Sequence, residues 1–126
     1  LGFIASVLVL SPAITVLYLA GKDFHVGNLL RSAPYQLLGV ALPEEIYFRG
    51  FLQEGMGNNL RAVLIVSILF SIVHLPQLIF YGEFMAPLTF FPSLIMGYLY
   101  KRTGNILTPT IFHFLANMVF YGFYRT

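Results

Sequence analysis

Cysteine is missing from all 126 residues. That excludes a thiol nucleophile, a disulfide framework and any cysteine-held metal, and it leaves the redox compartment undetermined. Charge is nearly as scarce: Lys and Arg number 7, Asp and Glu 5, together 10% of the chain, where a soluble domain carries roughly 25%. The net charge of +2 is small and scattered, so no nucleic acid partner is expected. The chain has no internal repeat, no low-complexity tract and no His-Glu-x-x-His pair of the zinc-helix kind. Nor does a serine or threonine stand where a nucleophile is obvious.

What remains is apolar: 58% of the residues, with a mean hydropathy of +0.80. Apolar runs of membrane-spanning length alternate with short clusters that hold Gly, Asn, Pro and most of the charge. This predicts an all-α, multi-span transmembrane helical bundle of about five helices, integral to a membrane, in most settings the cell membrane. The residues 1–126 read as one domain, and the start at Leu1 rather than a methionine reads as a piece cut from a longer chain. Residues 1–20 form a leading transmembrane helix, without the basic leader and small-residue cleavage site of a signal peptide. A connector over 21–31 holds Lys22, Asp23, His25 and Asn28, and residues 34–124 supply the remaining helices.

Within that stretch, a second helix is predicted from near Pro34 to about Glu54, bent at Pro43. A tight turn covers 55–58. The third helix is expected to stop before Pro76, putting His74 in its last turn, with a loop over 77–86. A fourth spans about 87–101 with Pro92 as a bend, and a fifth opens on Thr108 as cap and Pro109 as first residue, continuing to Tyr124. Lys22, Arg31 and Arg125 balance Arg61, Lys101 and Arg102 across the alternating spans, so charge gives no orientation.

Ionisable residues inside such helices are expensive and usually serve a task. Those predicted to be buried are Glu44, Glu45, Arg49, His74 and His113. Glu45 and Arg49 are four apart on one helical face, acid first, the favourable order for an ion pair. Glu44 points about 100° away and gets no such partner. The pattern separates a structural carboxylate from one free to exchange a proton. His74 follows Phe70 by four residues, and Asn117 follows His113 by four. A free acid, two imidazoles and an amide from three helices suit the activation of water better than covalent catalysis. Glu44 would take the proton, His74 would orient the water, and His113 and Asn117 would donate to a developing oxyanion.

The series Glu44-Glu45-x-x-x-Arg49, Phe70-x-x-x-His74 and His113-x-x-x-Asn117 resembles the motifs of the CPBP family, the CAAX proteases and bacteriocin-processing enzymes also called Abi. The likeness runs from about Leu38 to Asn117, and residues 97–104 are similar to the stretch before the family's last motif. It implies an intramembrane endopeptidase of the glutamate-protease type, acting on a peptide or protein substrate at the lipid bilayer. By that resemblance Glu44 and His74 would be catalytic on the water and His113 and Asn117 catalytic at the oxyanion, with Glu45 and Arg49 in support. Many members carry the name metalloprotease, so zinc held by Glu44, His74 and His113 is the mechanistic alternative. Asn117 is a poor zinc ligand, and ligand preference favours no cofactor.

Simpler readings stand beside these. Glu45 and Arg49 as an ion pair locking two helices is the bland one, and it is largely adopted here. His25 reads as loop, Glu54, Arg61 and Glu83 as solvated helix ends, and most aromatics as lipid-facing or packing. A non-catalytic immunity or scaffold protein, or a proton-coupled transporter relying on Glu44, would keep the same polar cluster. Geometry poses one difficulty. Ideal alternating helices put Glu44 and His74 roughly 18 and 22 Å from one boundary but His113 only about 8 Å. Tilt, the bend at Pro43 and a fourth helix that stops short would have to close that gap.

Overall fold

A chain this poor in polar side chains has to pair its backbone groups with one another, and it does so in helices. The computed structural model describes residues 1–27 and 29–124, and among them there is no strand. Asn28 of the expected connector and Arg125 of the charge comparison lie outside the described residues. Among those described, five helical rods follow in order: α1 (Gly2–Leu19), α2 (residues 29–53), α3 (Leu60–Tyr81), α4 (Phe90–Thr103) and α5 (Leu107–Tyr124). A 3-10 turn, Ala86–Thr89, leads into α4.

Several boundaries differ from expectation, each for a local reason. α2 starts at Leu29, not near Pro34, which lies inside it. Pro34 is the sixth residue of the helix, so its missing N–H costs one backbone hydrogen bond and the helix runs on through it. α3 passes through Pro76 and ends at Tyr81. Its stop is Gly82, left-handed at φ 65°, a conformation glycine adopts without a Cβ clash. The residues 77–81 therefore belong to a helix, not a loop, and His74 is not in the last turn. α4 begins at Phe90, so Pro92 falls in its first turn, where no intrahelical donor is required. α5 is capped three residues earlier than Thr108 would do it: the Asn105 Oδ1 accepts from the Leu107 N–H at 2.9 Å.

α2 changes its winding on either side of the acid pair. Leu42–Glu45 is ordinary α-helix, but Gln36–Ala41 and Ile46–Gln53 are wound more widely as π-helix. The Leu42 N–H accordingly reaches the Leu37 carbonyl, five residues back. Pro43, between the wide stretches, has no N–H to give, and a helix short of a donor is more readily widened there.

Much of the interior is polar. Phe48, Val66, Phe70, Met96, Leu99 and Phe112 form the apolar cluster. Beside it, Glu45, Arg49 and Gln53 step down one face of α2 at intervals of four with no exposed surface. Arg49 Nη2 donates to the Ser93 carbonyl at 2.7 Å and to its Oγ at 2.5 Å. Gln53 Nε2 donates to the Gly97 carbonyl at 2.9 Å and to Asn58 Oδ1 at 2.8 Å. A Cβ on Gly97 would come within 2.8 Å of Val63 Cγ1 and 3.0 Å of Gln53 Oε1, so a bare backbone is what lets α4 sit this close. One turn on, the Tyr100 hydroxyl donates to Glu54 Oε2 at 2.9 Å. Glu54 is an exposed helix end, as expected, and it ties α2 to α4 as well.

These contacts narrow the vertical gap. Ile106, just before α5, packs on Gly50, where a Cβ would meet its Cδ1 at 3.2 Å. That lifts the start of α5 about 4.5 Å above the end of α2. His74 reaches back the other way, because helical side chains lean toward the N-terminus. Its Nδ1 lies 2.7 Å from the Phe70 carbonyl, one turn below.

Candidate active site

Adjacent residues of a helix point in different directions, and the two acids of α2 have different surroundings. Glu45 has no exposed surface, and its Oε1 accepts from Arg49 Nη1 at 3.2 Å. Both residues lie on α2, so this ion pair cannot by itself lock two helices. The locks are its outer partners, Ser93 on α4 and, 2.8 Å from the same Oε1, His113 Nδ1 on α5. A carboxylate accepts, so the Nδ1 proton of His113 is held on Glu45. His113 is 5% exposed, and its other nitrogen, Nε2, lies 3.6 Å from Glu44 Oε2. Glu44 keeps 32% of its side chain exposed, and that Oε2 has no hydrogen-bond partner.

His74 is set by its own helix. A carbonyl only accepts, so its contact with Phe70 O places the proton on Nδ1 and leaves the Nε2 lone pair for another partner. The His74 ring lies over Phe70 with centroids 4.5 Å apart. Phe70 also meets His113 edge-on at 5.8 Å and takes the Arg49 guanidinium over its face at 5.2 Å. One aromatic ring thus spaces both histidines and the buried cation. Asn117, one turn beyond His113, donates from Nδ2 to Gln36 Oε1 at 3.2 Å.

Glu44, His74, His113 and Asn117 all line one cavity of about 260 Å³. Gln36, Gln77 and Glu83 line it too, so Glu83 contributes to a concave surface and is more than a solvated helix end. Phe70, Phe120 and Tyr121 are aromatic members of that wall, which the assignment of aromatics to lipid and packing did not anticipate. His25 lies apart, its backbone N–H donating to the Gly122 carbonyl at 2.9 Å. Among the described residues, no three carboxylate or imidazole side chains form a group that could hold a metal ion. Gln36 and Ser93 do not figure in the sequence-based set because, Asn117 apart, it was built on ionisable residues. Amides and hydroxyls in apolar helices would have flagged them.

The profile of the Rce1-like family, described as type II CAAX prenyl endopeptidases, matches residues 26–119. YpbD of Bacillus subtilis (strain 168), an uncharacterized protein, is 31% identical over 93 residues, covering 71% of this chain and 46% of that protein. The UPF0177 protein YxdF of Lactococcus lactis subsp. lactis (strain IL1403) is 28% identical over 121 residues, covering 93% of this chain and 66% of its own length. The chain thus spans between about half and two thirds of these curated relatives. No solved structure matches it. With the profile matched from the connector after α1 nearly to the end of α5, a span that takes in Glu44, His74, Glu83, His113 and Asn117 of the cavity wall, the chain belongs to the Rce1-like family of CAAX proteases.

Proposed function

We propose that this chain is the core of an intramembrane endopeptidase in which Glu44 activates the attacking water. The observation that carries this reading is the opening of Glu44, His74, His113 and Asn117, from three helices, onto a single cavity. A water held between Glu44 and the His74 Nε2 lone pair would give its proton to Glu44 as its oxygen attacks the peptide carbonyl. The oxyanion that forms would be met by an Asn117 N–H and by His113 Nε2–H. Because the Nδ1 proton of His113 is held on Glu45, donation from Nε2 requires the imidazolium, and the Glu45 carboxylate offsets that charge. Collapse of the tetrahedral intermediate would then return the proton from Glu44 to the leaving amine.

Two features support a membrane setting. α1 and α3 are long and apolar enough to cross a bilayer, with mean hydropathies of 2.1 and 2.3, and neither is mostly buried within the chain. Residues such as Leu8, Leu19, Ile79 and Phe80 are more than two-thirds exposed, which suits lipid contact better than water. We propose a metal-free mechanism, supported by the donor set described above, so 1,10-phenanthroline should leave the rate unchanged. A prenylated CAAX tail is the proposed substrate class, carried by family membership.

The decisive experiment replaces Glu44 by Gln in the full protein reconstituted in liposomes. With a fluorescence-quenched peptide ending in a prenylated CAAX tail, cleavage should vanish while thermal unfolding stays as in the parent. Undiminished cleavage by E44Q would overturn the role of Glu44. A folded parent that cuts no such tail would favour the scaffold reading.

A further inference from the structure

Gln36 is a neutral residue two turns ahead of the acid pair, yet it is 3% exposed and belongs to the cavity wall. Its Oε1 accepts from Asn117 Nδ2 at 3.2 Å, across from α2 to α5. An unanchored asparagine amide can turn about its last torsion and offer either its oxygen or its nitrogen to the cavity. An oxygen facing a developing oxyanion would repel it. An amide nitrogen has two N–H groups, and with one given to Gln36 the amide is held nitrogen-forward and the second N–H is free for a reacting carbonyl.

Resting on the oxyanion role of Asn117 under the proposed function, we infer that Gln36 is a positioning residue that fixes the Asn117 amide in its donating orientation. The change of winding supports this placement. Gln36 opens the first wide stretch of α2, Gln36–Ala41, and Glu44 follows that stretch. In an unbroken α-helix, residues eight apart differ by about 80° around the axis. The wide turn resets that offset, so that the acid and the amide anchor both reach one cavity.

The inference predicts a split in kinetic constants. In the full protein in liposomes, with the quenched prenyl-CAAX peptide, Gln36→Leu should lower kcat about ten- to a hundredfold with KM nearly unchanged. Gln36→Glu, which keeps an acceptor at the same reach, should recover most of the rate. In an Asn117→Ala background, Gln36→Leu should cost nothing more, since there is no amide left to orient. A merely structural tie between helices would instead lower the unfolding temperature and add its loss in that background. A readout free of catalysis completes the test. Of the two Asn117 side-chain amide protons, assigned by their loss in Asn117→Ala, the one given to Gln36 should move upfield, toward its position in an unbonded amide, in Gln36→Leu. Unchanged kcat in Gln36→Leu, a loss that adds to Asn117→Ala, or unmoved amide signals would each overturn the inference. If Asn117→Ala keeps full activity, the oxyanion role fails with it. If no form cuts the probe, the proposed activity falls, and the amide signals alone decide whether Gln36 holds Asn117.

Discussion

An arginine without exposed surface has to be held by groups that match its donors, and Arg49 meets Glu45 Oε1 and both oxygens of Ser93. Phe70 covers its face. Replacing it by methionine should take the fixed cation from the buried Glu45 carboxylate and leave it only His113, costing about 3–5 kcal/mol, read as loss of stability to unfolding in micelles. Arg49→Lys should not rescue it, because an ammonium cannot reproduce the planar fork that reaches Glu45 and Ser93 together. Glu45→Gln tests a different link. It keeps the shape but takes the carboxylate from His113 Nδ1, and the cleavage rate should drop roughly ten- to a hundredfold. The ionised members of this network were legible in the sequence, because a charge inside an apolar run stands out. Ser93 and Gln36 were not, because a hydroxyl or an amide in a helix gains meaning only from what it faces.

Among the elements, α4 depends most on small residues of its own. It meets α2 through Ser93 and Gly97, and α3 through Val63 at the same glycine. Gly97→Val should force the three helices apart, at a cost of about 1–3 kcal/mol for overpacking, and the Gln53 hydrogen bond to the Gly97 carbonyl should weaken with it. Unfolding temperature, compared with a Gly104→Asn control at an open turn, would register the difference. Helix existence was readable from apolar runs. Helix ends were less so: Pro34 and Pro76 look like punctuation, yet the helix runs through both. In a segment with few polar side chains, interrupting the ladder would strand several backbone groups, whereas a proline strands one. Gly82 ends α3 because its left-handed turn repays the last carbonyls, its N–H and that of Glu83 returning to Leu78 and Gln77.

At the scale of the molecule, the relative height of the helices was hidden from the sequence. Alternation of spans suggests a common baseline, but the baseline is reset where Ile106 seats on Gly50, a contact between residues 56 positions apart. Depth in a bundle is a tertiary property, decided by which small residue receives which large one. The outward face of α3 belongs to this scale too. If the bundle lies in a bilayer, Ile79 and Phe80, at 71% and 76% exposure, should be labelled by a lipid-soluble carbene reagent. Val66 and Phe70, at 0% and 2%, should be spared. Labelling from the aqueous phase would reverse the assignment of that surface.

α4 has 14 residues, a rod of about 21 Å beside a hydrocarbon layer about 30 Å thick. Lipid meeting such a stump must dip to cover it, drawing headgroups and moisture inward on that flank. The proteolytic centre proposed here would then need no tunnel. Its shoreline would come to it, and a greasy tail could stay dissolved in one leaflet while the bond to be cut waded at the edge.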